Sequence, residues 1–98
     1  MVTSEIDTND NIIFVGNKAP MSYVVAVLTE FEKSSKVIIK SRGKAISKSV
    51  EIAEIVRRKY LKDVEVIEIN IDTETIIDKN TNKPLDIPSI EIILAKPS

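Results

Sequence analysis

The chain has 98 residues, 43% of them apolar, and a net charge of −1, which sets the scale at one domain with a small core and excludes wholesale disorder. It contains no cysteine and no histidine, so disulfides, thiolate nucleophiles, the usual zinc ligand sets and histidine-based triads are excluded together. Only 4% of residues are aromatic, so the core must be built from Ile, Val and Leu.

The N-terminal "MVTSEIDTND" is polar and is expected to fray over residues 1–10. It has no basic region followed by an apolar one, and no run anywhere approaches about 18 apolar residues, so neither a signal peptide nor a membrane span is expected. A cytoplasmic protein follows by default. "NIIFVG" is a short apolar run ending in Gly16, a buried strand by length. Pro20 suits the first turn of a helix, and Met21, Val24, Val25, Leu28 and Phe31 recur at helical spacing to about Ser34. "KVIIK" is a second short strand. After a turn at Ser41 to Gly43, Ile46, Val50, Ala53 and Val56 line one face of a second helix, widened by Ile52, Ile55 and Tyr60. So broad a stripe predicts that this helix touches its own sheet and something else. "VEVIEINIDTETII" is a long strand whose apolar phase slips between Val66 and Ile67, which predicts a bulge. Beyond it Ile67 and Ile69 are expected to face the core with Ile90 and Ile92. "DKNTNKP" is a turn, and "LDIPSIEIILA" is the return strand. The order is β-α-β-α-β-β, an α/β (α+β two-layer) fold over residues 11–96. Its first two strands are parallel, and its last two form a hairpin long enough to project as an arm over about residues 72–88.

The small net charge hides a polarised chain. From Lys33 to Lys62 ten cations face two acids, a local charge of +8; from Asp63 to Ala95 eight acids face two lysines, a local charge of −6. Such asymmetry speaks about partners. Both strand-to-helix turns, Gly16-Asn17-Lys18 and Ser41-Arg42-Gly43-Lys44, lie at one edge of the sheet, where helix N-termini present unpaired N–H groups and partial positive charge. Lys18, Arg42 and Lys44 are repelled there unless an anion occupies the site. A phosphate would take N–H groups, Arg42 and a hydroxyl of Ser41 or Ser47, and Gly43 lets a backbone come close. A loop made soluble by its cations would carry the same residues, and both readings stand at this point. A nucleotide-binding P-loop does not fit, because "GKAIS" lacks the upstream Gly and the Lys-Ser/Thr pair.

Other candidates have simpler explanations. "RRKYLK" ends the second helix, where cations suit the dipole. Asp72 and Glu74 share a strand face as an acid–base or metal pair would, but solvated positions explain them better. Tyr23 and Tyr60 sit in helical apolar patterns and read as packing or interface residues. No nucleophile–base pair and no metal set can be assembled, so no enzyme, cofactor or metal site is expected.

The segments "VGNKAPMSYVVAVLT", "VIIKSRGKAISKSVEIAEIVRRKYL" and "IPSIEIILAKP" together resemble the Alba family of archaeal chromatin proteins over residues 11–96. The resemblance implies a fold similar to the C-terminal domain of translation initiation factor three, dimers, and binding of double-stranded DNA and RNA on the chromosome without strong sequence preference. A composition rich in Lys, Glu and Ile suits a thermophile. The resemblance places Lys18, Arg42, Gly43 and Lys44 on the duplex backbone, with Asn17 and Lys40 nearby. It lays the hairpin arms, with Lys79 and Lys83 near their tips, along the minor groove. Three features depart from the family pattern. Asn17-Lys18 stands where two adjacent lysines are usual, one of them an acetylation site in archaeal members, so the acetylatable position is Asn17. Tyr60 stands where many members carry Phe at the contact between dimers. The arm is acidic. These departures resemble a divergent paralogue, and they leave two roles open: a protein that coats nucleic acid as a homodimer or with a paralogue, or mainly a partner subunit that pairs with a more basic paralogue, tunes its assembly and binds nucleic acid poorly alone.

Overall fold

The computed structural model describes residues 8, 9 and 11–97. The strands are β1 (Thr8–Asn9), β2 (Ile12–Phe14), β3 (Lys36–Arg42), β4 (Glu65–Ile77) and β5 (Pro84–Ala95), and the helices are α1 (Pro20–Phe31) and α2 (Ile46–Ile55). A 3₁₀ turn over Gly43–Ala45 leads into α2, and a π-helical turn over Val56–Tyr60 leaves it. The expected frayed N-terminus falls mostly outside the described residues; Thr8 and Asn9 pair antiparallel with β2.

The sheet order is β1-β2-β3-β5-β4. β2 and β3 are parallel with α1 as their crossover, as expected of a βαβ unit. β5 then inserts antiparallel between β3 and β4. Pro20 opens α1, where its missing N–H has no intrahelical partner to lose. α1 lies over β2 and β3, and α2 over β3 and β5. Between helices and sheet, Val24, Val27, Phe31, Val37, Ile39, Ile52, Val56 and Leu94 are fully or almost fully buried, each contributing about 1.5–3 kcal/mol of burial.

The expected bulge is present: Val66 pairs with Leu94 and Glu68 with Ile93, which leaves Ile67 as the extra residue. The expected core role of Ile67 and Ile69 is not. Ile69 lies opposite the buried Ile92 and so shares its face, yet it is 56% exposed, and Ile71 is 81% exposed. β4 is the sheet edge, beyond the reach of both helices. The core closes instead with Val64, Ile92 and Leu94. Val50, expected on the buried stripe of α2, is 46% exposed, while Ser49, Ile52 and Ala53 face inward. The helix is therefore turned so that part of its apolar stripe leaves the sheet. Met21 and Val25 of α1 are likewise exposed, and Tyr23 and Val27 take the buried positions.

β3 pairs with β5 only as far as Arg42 opposite Ser89, whereas β4 and β5 continue to Ile77 opposite Pro84. The outer hairpin is thus a two-stranded arm, and the molecule measures 47 × 31 × 21 Å. Its turn is closed by the Asp78 N–H donating to the Lys83 carbonyl at 2.8 Å and the Asn82 N–H to the Asp78 carbonyl at 2.7 Å. The Asp78 carboxylate accepts from the Asn80 N–H at 2.9 Å. Asn82 takes the left-handed conformation, φ 59°, which Asn tolerates better than most residues.

Candidate nucleic-acid interface

The two strand-to-helix turns meet through α2. Lys48 Nζ donates to the carbonyls of Gly16 and Lys18, both at 2.7 Å, and lies 5.8 Å from the Tyr23 ring centroid. The Tyr23 hydroxyl accepts from the N–H groups of Gly16, at 2.9 Å, and Lys18, at 3.1 Å. The first turn is therefore clamped from both sides, its carbonyls by a lysine and its amides by a buried phenol. Those two amides are spent on Tyr23, so the first turn offers a ligand side chains more than backbone donors.

The second turn differs. Arg42 is extended, and neither the 3₁₀ turn nor α2 begins with a side-chain cap or an acid in its first turn. Backbone donors at this helix start are thus left to solvent or a ligand. Gly43 has φ 59°, in the left-handed region, and a Cβ there would meet Ile87 Cγ2 at an ordinary contact distance of 3.4 Å, so backbone conformation rather than space favours glycine. Lys44 and Arg42 are exposed. Lys48 is one helical turn beyond Lys44, on the same face. Lys18, Arg42, Lys44 and Lys48 thus belong to one end of the domain, with Asn17 exposed in the clamped turn.

Residues 11–74 match the family model described as Alba, a stretch that carries both turns and every residue of the clamp. The chain belongs to the Alba family. A protein of Methanocella arvoryzae named DNA/RNA-binding protein Alba is 48% identical over 89 residues, which cover 90% of this chain and 92% of the relative. DNA/RNA-binding protein Alba 1 of Archaeoglobus fulgidus is 50% identical over 88 residues, 89% of this chain and 97% of the relative. The solved Alba from Thermoplasma volcanium superposes with a TM-score of 0.83 at 48% identity, covering 88% of this chain and all of that one.

Not every site residue expected from the Alba pattern stands open. Lys40 Nζ lies 3.2 Å from Glu91 Oε2, and Arg42 Nη1 2.9 Å from Glu74 Oε1. Lys40 also covers the Phe14 ring, 5.9 Å from its centroid. The Ser41 hydroxyl accepts from that of the fully buried Ser49 at 2.5 Å, so it braces the turn. Lys79 and Lys83 are exposed at the arm's end, away from the two turns. Tyr60 is exposed beside Leu28, Phe31 and Leu61. Arg57 and Arg58 both bond to Glu54, at 2.6 and 2.8 Å. Those bonds, Arg57's first and then Arg58's, hold Glu54 below the usual carboxylate range. The second basic cluster is largely an ion-pair network.

Lys48, Tyr23 and Glu74 are the residues whose roles the sequence conceals. Lys48 could have been suspected from its spacing to Lys44; the Tyr23 hydroxyl has no such signal. Tyr23→Phe keeps the packing and removes the acceptor shared by two backbone amides. It is expected to lower stability by about 1–3 kcal/mol, read as a drop in the urea midpoint at unchanged slope. An unchanged midpoint would show that water replaces the phenol without loss.

Proposed function

We propose that this chain binds double-stranded DNA and RNA through their phosphate backbones, without strong sequence preference, as a dimer on the chromosome. The observation that carries the reading is the clamp that joins two cation-bearing turns beside an uncapped helix start. Phosphate contacts to side chains, amides and helix N-termini position a protein on a duplex without reading its sequence. The relatives' name, DNA/RNA-binding protein, supports the same ligand class. The dimer reading rests on apolar surface that a soluble monomer would rather cover. Ile69, Ile71 and Val50 are exposed, and Ile46, Ile71, Pro88 and Ile90 line one shallow apolar groove.

The acidic arm supports the second role, a subunit paired with a more basic paralogue. Asp72, Glu74, Asp78 and Asp86 all lie on or at the end of the arm and repel phosphate, while Lys79, Lys83 and the amides of Asn80 and Asn82 remain to meet a groove. One titration separates the roles. A labelled random-sequence duplex, DNA or RNA, is followed by anisotropy with the protein alone and mixed with a basic-armed paralogue, beside sedimentation of the same samples. Tight binding alone as a homodimer is the expected result. Binding that appears only in the mixture assigns the partner role, and no binding in either sinks both.

A further inference from the structure

The Arg42–Glu74 pair crosses the sheet. Arg42 lies opposite Ser89 on β5, and Ser89 opposite Asp72 on β4. Glu74 is one step farther out on that same strand face and reaches back to the turn. The pair lines a cleft of about 370 Å³ together with Phe14, Val15, Lys40 and Ser41. Its side chains are 55% and 43% exposed, so solvent and ligands reach both partners. An ionised carboxylate, like a phosphate, only accepts hydrogen bonds, and both suit the guanidinium fork. We infer that Glu74 is an affinity-setting residue: in the free chain its carboxylate occupies the Arg42 position that a backbone phosphate takes in the complex, and binding displaces it. The inference rests on the phosphate-binding reading above and adds a regulation of that site. The turn and the root of the arm are joined in the free state, and a bound phosphate parts them.

The exchange replaces one exposed ion pair by another, and such pairs are weak, so removing the competitor is expected to tighten binding about twofold to fivefold. The test measures random-duplex affinity at low salt for the wild type, Glu74→Gln, Arg42→Ala and the double variant, with thermal melts of each. Competition at Arg42 predicts that Glu74→Gln tightens binding when Arg42 is present and does little in the Arg42→Ala background. Equal gains in both backgrounds would mean that Glu74 acts only through general repulsion, and no gain in either would mean that it does not compete; each overturns the inference. Asp72→Asn gives an independent reading, because it removes the same charge from the same strand without touching the Arg42 pair. It should gain less than Glu74→Gln, and an equal gain also overturns the inference. Wild-type binding without these differences sinks the role of Glu74 alone. Failure of both the wild type and Glu74→Gln to bind a duplex sinks the nucleic-acid reading and takes this inference with it.

Discussion

Duplex affinity is expected to fall about 10³-fold between about 50 and about 200 mM salt, with a slope of log K against log salt near −5. The number follows from about six neutralised phosphates per dimer, each releasing close to one counterion. Lys18, Arg42 and Lys44 from each of two protomers supply that count. Contacts to phosphate carry no sequence information directly, so random competitor duplex should displace a labelled duplex in proportion to its length. A flat salt response, or one preferred site that survives excess random competitor, would contradict backbone binding. Glu74 modifies this expectation in one direction. Where Arg42 must leave its carboxylate to take a phosphate, the net counterion release for that contact is smaller. The slope should therefore lie on the shallow side of the full count, and Glu74→Gln should steepen it.

The order of elements was legible because it rests on local signals. Pro20 starts α1, Gly43 breaks the chain between β3 and α2, and the slip in apolar phase at Val66 marks the bulge that the register shows. Which apolar face is covered is not a local property. Ile67, Ile69 and Ile71 alternate as a core strand does, but alternation reports only that a face is apolar. Whether a helix lies over it depends on β5 entering between β3 and β4, which leaves β4 at the edge. Val50 was misplaced for the same reason: a broad helical stripe does not say which part meets the sheet. The cations of the two turns were readable from spacing and helix polarity. Their partners were not, because Arg42 and Glu74 are 32 residues apart and meet only once the register of three strands is set. The Lys48 bridge to the first turn, equally distant, needs the relative placement of α2 and β2. Electrostatic asymmetry along the chain therefore pointed to the surface proposed for nucleic acid, while the balance of charge at that surface required the fold.

Replacing Arg42 and Lys44 together by alanine is expected to cost roughly 3 kcal/mol of duplex affinity per protomer, and so about 6 kcal/mol for a dimer, a loss of more than about 10⁴-fold. Charge-assisted phosphate contacts are worth about 1.5–3 kcal/mol each. The lower end applies because both side chains are exposed and Arg42 must first leave Glu74. The fold should persist: neither residue contributes to the buried core, and Gly43, which holds the left-handed position, is retained. Lys62→Ala is the control for loss of a surface cation elsewhere, since Lys62 is exposed in the connection between the π-helical turn and β4, and it should lose little. The arm provides the opposing comparison. Replacing residues 78–86 by a short turn removes Lys79 and Lys83 but also Asp78 and Asp86, so attraction and repulsion toward phosphate largely offset. The shortened protein should stay folded, because Val64, Ile92 and Leu94, which close the core on that side, lie outside the deletion. It should also bind far better than the double variant. The salt slope discriminates further: losing two phosphate contacts per protomer makes it shallower by about two units per protomer, whereas trimming a charge-balanced arm leaves it nearly unchanged. If the shortened protein folds but loses all binding while the Arg42→Ala, Lys44→Ala variant still binds, the duplex lies on the arm and the turns have been assigned the wrong role.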